Sequence, residues 1–373
     1  MPHVSERTAP SPAPRPHLHS LAPFALADRS VAAHLRAIHL AQNESAVPPG
    51  KAALEAMRTA IANINRYPEA DAATLRHAIA EAEGLPANQI ICGTGSMELL
   101  ALLAQAYLGP DDEIVISEYG YVFFRTVAQL VGARFVLAPE RDFRTDVDAM
   151  LSRVGPRTRM VFIANPNNPT GSLLPAAEIR RLRASLRSDI ILVIDAAYAE
   201  YVTEVNYDSG IELVQAGANT VMTRTFSKIH GLAGLRVGWG YFPEAIAEIV
   251  NRMRHPNNVS TVAIAGAAAA MADRAHIAAV RAANAALRTS FVEQLRQAGF
   301  MPCESHANFV LLPLASASEA TAVREYLKAR GILVRPMSAY GLDQCLRITV
   351  GAPDEMQAVG DALRAWRAGG HRP

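Results

Sequence analysis

From about residue 50 the hydrophobic positions follow two alternating rhythms. Lys51–Ile64, Asp71–Glu83, Ser96–Tyr107 and Phe123–Val131 repeat apolar residues at helical spacing. Between and after them stand short, uninterrupted apolar runs: Gln89–Cys92, Glu113–Ser117, Arg134–Ala138, Met160–Ala164, Ile190–Ile194, Val221–Thr223 and Arg236–Phe242. A strand with one wet face alternates apolar and polar residues. Continuous Val, Ile and Leu instead predict strands covered on both faces, hence a mostly parallel sheet between helical layers. After about Pro256 an Ala-rich helical stretch precedes strands expected at Ala307–Leu312, Ile332–Arg335 and Cys345–Val350, an α+β pattern that predicts a second, smaller domain. The expected division is an arm over 1–23, a segment joining the small domain over 24–49, a large domain over 50–255 and a small C-terminal domain over 256–373. No internal repeat is visible.

Composition narrows the classes. Among 373 residues, 36 Lys+Arg balance 35 Asp+Glu, so no basic excess suits nucleic acid or an acidic membrane surface. Cys92, Cys303 and Cys345 are too few and too far apart for a disulfide framework or a zinc cluster. No apolar stretch approaches the ~18 residues of a membrane span. The first 23 residues are rich in Pro, Ser, Ala and His and predict a flexible or extended arm. Leu21–Ala27 is too short and proline-broken for an export signal, which leaves a cytoplasmic enzyme or a large binding protein.

In a wound α/β sheet, ligands gather beyond the carboxyl ends of the strands. Met160–Ala164 is followed by Asn165-Pro166-Asn167-Asn168-Pro169-Thr170-Gly171, Ile190–Ile194 by Asp195-Ala196-Ala197-Tyr198, and Val221–Thr223 by Arg224-Thr225-Phe226-Ser227-Lys228. The first strand ends at Gly93-Thr94-Gly95-Ser96, where a helix opens. Alone, each piece has an ordinary reading. The glycine turn is a helix cap as readily as an anion site, Asp195 is a cap, the Pro-Asn-Asn-Pro stretch is a turn, and Lys228 is a surface lysine. The turn lacks the Gly-Lys-Ser/Thr of a P-loop, and Glu98 stands where a dinucleotide fingerprint needs its third glycine.

Taken together the pieces describe pyridoxal 5'-phosphate. That cofactor needs a lysine to condense with its aldehyde and a carboxylate to keep the pyridine nitrogen protonated. Its phosphate needs a helix N-terminus with a cation. Lys228, Asp195 and the Gly95-Ser96 helix start meet those needs. Arg236, Thr225 and Ser227 are placed to reach the phosphate, and Tyr198 and Asn168 to donate to the ring's phenolate.

These residues also carry a resemblance. Asn168-Pro169-Thr170-Gly171, Asp195-x-x-Tyr198 and Ser227-Lys228 with Gly-Leu-Arg236-x-Gly238 resemble the fold-type I PLP-dependent aminotransferases. Asn65-Arg66-Tyr67-Pro68, Gly93-Thr94-Gly95-Ser96-x-Glu98-Leu99, Ala307-Asn308-Phe309 and Leu346-Arg347-Ile348-Thr349-Val350-Gly351 point to the histidinol-phosphate aminotransferase branch. The resemblance runs from about residue 40 to the end. It implies that Tyr121 stacks on the pyridine, with Tyr119 and Phe124 as alternatives. It further implies that Thr94 belongs to the phosphate turn, and that Tyr67 reaches across a homodimer interface to the partner's phosphate. Arg347 grips an anionic group of the substrate, Arg335 is a second anion ligand or a surface residue, and Asn43-Glu44 closes over the substrate.

The implied activity is ping-pong transfer of an amino group from histidinol phosphate, or a related aromatic donor, to 2-oxoglutarate. The alternative is a PLP-dependent decarboxylase of an amino-acid phosphate, of the threonine-phosphate type. A PLP-binding transcriptional regulator is disfavoured because the ~40 residues before the core are too few and too proline-rich for a DNA-binding domain. Three departures bear on substrate: Ala196 replaces the usual Glu, Asn257 stands where an aromatic is usual, and Ser45-Ala46 follows Asn43-Glu44 in place of Asn-Pro. Asn257 is therefore expected to make the substrate side of the pocket more polar.

Overall fold

The computed structural model describes residues 12–22, 30–217 and 219–369. Most of the Leu21–Ala27 segment read as carrying no export signal lies outside them. The strands are β1 (Ile38–Leu40), β2 (Ile90–Gly93), β3 (Glu113–Ser117), β4 (Arg134–Ala138), β5 (Thr158–Ala164), β6 (Ile191–Asp195), β7 (Thr220–Thr225), β8 (Gly238–Tyr241), β9 (Phe309–Pro313), β10 (Ile332–Met337) and β11 (Leu342–Thr349). The helices are α1 (Lys51–Ile61), α2 (Ala73–Glu83), α3 (Ser96–Tyr107), α4 (Phe123–Leu130), α5 (Val147–Ser152) and α6 (Ala176–Ser185). They continue with α7 (Ile211–Gln215), α8 (Glu244–Met253), α9 (Thr261–Ala272), α10 (Arg274–Gln297), α11 (Ala317–Lys328) and α12 (Pro353–Ala368).

Seven strands form one sheet in the order β2-β8-β7-β6-β5-β3-β4. Its central strands explain the unbroken apolar runs. Ile114, Ile116, Met160, Phe162 and Val193 pack under α3, α4 and α8, while Val115, Val161, Ile163, Leu192 and Ile194 pack against α5 and α6. Both faces are dry, so neither can be polar. The sheet is the mostly parallel α/β sheet that the sequence predicts. One strand departs from the parallel reading: β8 is antiparallel to both β2 and β7. No helix crosses over after β7. The chain turns back in a loop closed by Phe226 N–H to Val237 C=O at 3.1 Å, and a direct return forces the opposite direction.

That return brings Gly238 level with Gly93 on one side and Thr225 on the other. A Cβ on Gly238 would stand 2.5 Å from the Ser96 nitrogen, 2.8 Å from the Gly95 carbonyl carbon and 2.9 Å from the Arg224 oxygen. All three are backbone atoms with no rotamer to change. Gly238→Ala is expected to cost about 1–3 kcal/mol of stability by overpacking, measurable as a lowered denaturation midpoint.

The second sheet has the order β1-β10-β11-β9 and is covered by Phe291 and Leu295 of α10, Val323 and Leu327 of α11, and Val359, Leu363 and Trp366 of α12. The division expected at Pro256 does not follow the packing. Ala263, Ile264 and Ala267 of α9 share a buried cluster with Trp239 and with Ala53, Leu75 and Ile79, because the small alanine side chains let α1 and α2 lie close. α10 then bridges: Ile277 and Val280 pack with Tyr198 and Phe309, and its far end joins the small sheet. The described part of the arm is docked instead of free. Pro16–Ser20 forms a short 3-10 turn whose Ser20 carbonyl accepts from Gln129 of α4 at 3.2 Å.

Candidate active site

The C-terminal ends of β2, β5, β6 and β7 open on a cavity of about 770 Å³ between the two sheets, closed on the far side by β10, its following turn and Arg347 of β11. Gly95, Ser96, Tyr121, Asn168, Asp195, Tyr198, Thr225, Ser227, Lys228, Arg236, Asn43, Glu44, Arg335 and Arg347 all line it. The turns after three successive strands thus bring the amide, the carboxylate with its phenol, and the lysine to one space. Thr94 and Tyr67 do not line it. The Thr94 hydroxyl is bound to Glu98 at 3.0 Å, and the Tyr67 side chain is 92% exposed on the outer surface.

One end of the cavity is built for an anion. α3 begins at Ser96, immediately after Gly95, whose φ of +96° favours glycine. The Arg236 Nη2 atom lies 3.3 Å from where a Gly95 Cβ would stand, so the guanidinium overhangs the helix start. Arg236 Nη1 donates to the Ala233 carbonyl at 2.9 Å and reaches the Ser227 hydroxyl at 3.4 Å, and Thr225 donates to Ser227 at 3.0 Å. A cation, two hydroxyls and unpaired helix N–H groups converge there, the donor set a phosphate monoester takes.

Asp195 ends β6, buried beside Thr223 of β7, whose hydroxyl donates to it at 3.3 Å. Burial pushes its carboxyl up to about 6, against the lowering effects of the Thr223 hydroxyl, the Ala197 N–H and the Lys228 charge. Lys228 Nζ donates to the carbonyls of Asn43 at 3.0 Å and Gln42 at 3.3 Å. Desolvation, then the positive charges of Arg347 and Arg236, hold its amine down to about 7, with Glu44 and Asp195 opposing. A lysine near neutral and a buried acid facing one cavity form the pair that imine chemistry at a pyridine aldehyde needs.

The flanking groups are held by buried polar contacts that the motifs alone do not reveal. Asn43, in left-handed conformation at φ +54°, donates its amide to the Tyr198 hydroxyl at 2.9 Å and accepts from Thr349 at 3.2 Å. Asn308 donates to the carbonyls of Asn43 and Glu44 at 3.1 and 3.2 Å, tying the Asn43-Glu44 loop to the small sheet. With its oxygen accepting from Asn43, the Tyr198 hydroxyl keeps its proton to donate, and burial raises its ionisation to about 12. Arg347 Nη1 donates to Asn168 Oδ1 at 2.5 Å, so the amide nitrogen of Asn168 is the end left for a ligand. Arg347 Nη2 donates to the Ala41 carbonyl at 3.0 Å, and its buried Nε has no partner.

Of the three aromatics considered for stacking, Tyr121 lines the cavity, edge-on to Phe124 with ring centroids 5.6 Å apart. Phe124 is fully buried in the core, and Tyr119 packs on Phe143 at 5.9 Å. Arg335 and Arg347 stand opposite each other on β10 and β11. Burial and the neighbouring Arg347 charge depress the Arg335 guanidinium. Tyr340 also lines the cavity, accepting from the Val122 N–H at 3.5 Å. The only local signal for it is an aromatic before Gly341, which is too common to single out. Asn257 lies elsewhere: it is left-handed at φ +61°, donates its amide to the Pro68 carbonyl, and does not line the cavity in this chain, so no polar substrate face follows from it here.

Among the described residues, no group of three or more His, Cys, Asp or Glu is placed to hold a metal ion, and no helix is long and apolar enough to cross a membrane. The family model for aminotransferase class I and II matches residues 36–363. A histidinol-phosphate aminotransferase from Rhodospirillum centenum is 47% identical over 359 residues, covering 96% of this chain and 99% of its own. One from Dinoroseobacter shibae is 48% identical, covering 89% and 91%. Among solved structures, the histidinol-phosphate aminotransferase from Sinorhizobium meliloti, in complex with pyridoxal-5'-phosphate, superposes with a TM-score of 0.89 at 29% identity over 95% of this chain and 97% of its own.

Proposed function

The chain belongs to the aminotransferase class I and II family and is a PLP-dependent aminotransferase, and on that premise we propose that it moves the amino group of histidinol phosphate to 2-oxoglutarate in two half-reactions. The observation that carries the choice of donor is the pair Arg335 and Arg347, in register on adjacent strands and facing the same cavity as Lys228. Two guanidinium groups side by side suit a phosphate in one half-reaction and a dicarboxylate in the other. Relatives at 47–48% identity are histidinol-phosphate aminotransferases, which supports the same donor.

When bound, pyridoxal 5'-phosphate supplies the aldehyde that takes up the amino group and the ring that accepts electrons from the breaking C–H bond. Gly95, Ser96, Thr225, Ser227 and Arg236 would hold its phosphate, Asp195 would keep its ring nitrogen protonated, Tyr121 would cover a ring face, and Tyr198 and Asn168 would donate to its phenolate. Lys228 would be the base that takes the proton from the substrate's amine-bearing carbon, a role that suits an amine held down to about 7. Arg347 orients the substrate by its anionic end, and Asn43 holds Tyr198 in place from behind. The enzyme works as a homodimer in which the exposed Tyr67, beside the exposed Ile61 and Ile64, is covered by the partner and reaches its phosphate site. The site of action is the cytoplasm.

A panel of histidinol phosphate, phenylalanine, tyrosine and threonine phosphate, with 2-oxoglutarate as acceptor, tests the assignment. Glutamate formation fastest with histidinol phosphate supports it, and carbon dioxide release from an amino-acid phosphate without glutamate overturns it. Arg347→Ala removes two charge-assisted bonds to the substrate anion and is expected to raise KM about 100-fold for donor and acceptor alike in steady-state assays.

A further inference from the structure

The turn that receives the phosphate is itself held by a carboxylate. Glu98, in the first turn of α3, accepts at Oε2 from the Thr94 backbone N–H at 2.5 Å, from the Thr94 hydroxyl at 3.0 Å and from the Asn258 amide at 2.9 Å. The Asn258 amide also reaches the Cys92 carbonyl on β2 at 3.4 Å, so one side chain contacts both the strand that enters the turn and the helix that leaves it. A Cβ on Gly93 would come within 2.9 Å of Glu98 Oε2. An acid in a first helical turn favours the helix but repels a second anion bound at the same terminus. Three donors on one oxygen offset that repulsion and fix the peptide groups of the turn.

The neighbouring residues face the other way. Asn257 donates its backbone N–H to the Ala70 carbonyl at 3.2 Å and its amide to the Pro68 carbonyl, and Arg254 Nη1 donates to Ala70 at 2.6 Å. These carbonyls lie one and three residues after Tyr67. The left-handed backbone at position 257 explains the residue found there, since Asn tolerates that conformation better than a bulky aromatic.

We infer that residues 254–258 are a positioning strap for phosphate recognition. Asn258 acts through Glu98 to set the turn of this chain's own site, and Asn257 sets the segment that presents Tyr67. The second half rests on the homodimer proposed above.

The test is titration of cofactor-free protein with pyridoxal 5'-phosphate and, separately, with pyridoxal, which lacks the phosphate, read by absorbance. Glu98→Ala and Asn258→Ala are each expected to weaken pyridoxal 5'-phosphate about ten-fold and to leave pyridoxal within about two-fold. The double variant should be no weaker than either single one, because both act along one path. Glu98→Gln, which retains an acceptor oxygen, is expected to recover most of the affinity. Asn257→Ala should weaken only the phosphorylated ligand, with no further loss in a Tyr67→Phe background. Equal losses for both ligands, or additive losses in the double variant, overturn the strap. Sedimentation of the unsubstituted protein as a monomer overturns its Tyr67 half alone, leaving the Glu98 titration to decide the other.

Discussion

Lys228→Ala is expected to lower turnover by about 10⁴-fold or more and to abolish the visible absorbance band of the cofactor-bound enzyme. The size follows from two roles falling on one nitrogen. In the proposed mechanism Lys228 is both the amine that condenses with the aldehyde and the base that takes the proton from the substrate carbon. Among the described residues the other lysine lining the cavity is Lys328, on α11 of the small-sheet side. The protein should still bind the cofactor, because the phosphate cup proposed at Ser96, Thr225, Ser227 and Arg236 is untouched. A companion measurement uses the depressed pKa. The neutral amine is the form that attacks an aldehyde, and it is held down to about 7, so its share grows as pH rises through 7. Capture of the cofactor by cofactor-free protein should accelerate over that window and level off above it. A band that survives in the alanine variant, or capture that is flat in pH until about 10, sinks the assignment of Lys228.

How far the sequence could be read depends on whether a residue's role is local. The three strand ends were legible because a parallel strand buried on both faces announces itself by an unbroken apolar run, and chemistry in such folds follows the run directly. Asp195, Lys228 and Asn168 therefore stood out from spacing. β8 gave an apolar run but not its direction. That is set by the loop from Phe226 to Val237, whose glycines permit a return as readily as a crossover. The pocket's far wall was harder still. Asn43, Asn308, Thr349 and Tyr340 are single polar or aromatic residues scattered over some 300 positions, and nothing in their neighbours says that they meet. The resemblance led to Asn43 as a residue over the substrate, but not to its support of the Tyr198 hydroxyl, which depends on a contact 155 positions away. Residue 257 shows the same limit: its departure from the usual aromatic reads as a change of pocket, yet its side chain is spent on Pro68.

Asp195→Asn should separate the two halves of the chemistry that Lys228 combines. Asn keeps the shape of Asp and can still accept from the Thr223 hydroxyl, now 3.3 Å away, so little strain is expected. What it cannot do is carry a negative charge beside the ring nitrogen. Burial makes that charge costly and pushes the carboxyl up to about 6, so a cationic ring nitrogen would be the partner that stabilises it. Without it the nitrogen loses its proton, and the ring can no longer absorb the electrons released when Lys228 takes the substrate proton. The expected loss in kcat is about 10³-fold, the scale of removing one preorganised charge from a transition state. KM should change far less, since the proposed substrate contacts of Arg335 and Arg347 are left in place. The absorbance band should persist, because condensation at Lys228 does not require the acid. Stopped-flow spectra would show substrate captured promptly and the proton-transfer step slowed. A variant that retains turnover within about ten-fold of the unsubstituted enzyme would falsify the role given to this carboxylate, and with it the orientation of the cofactor in the cavity.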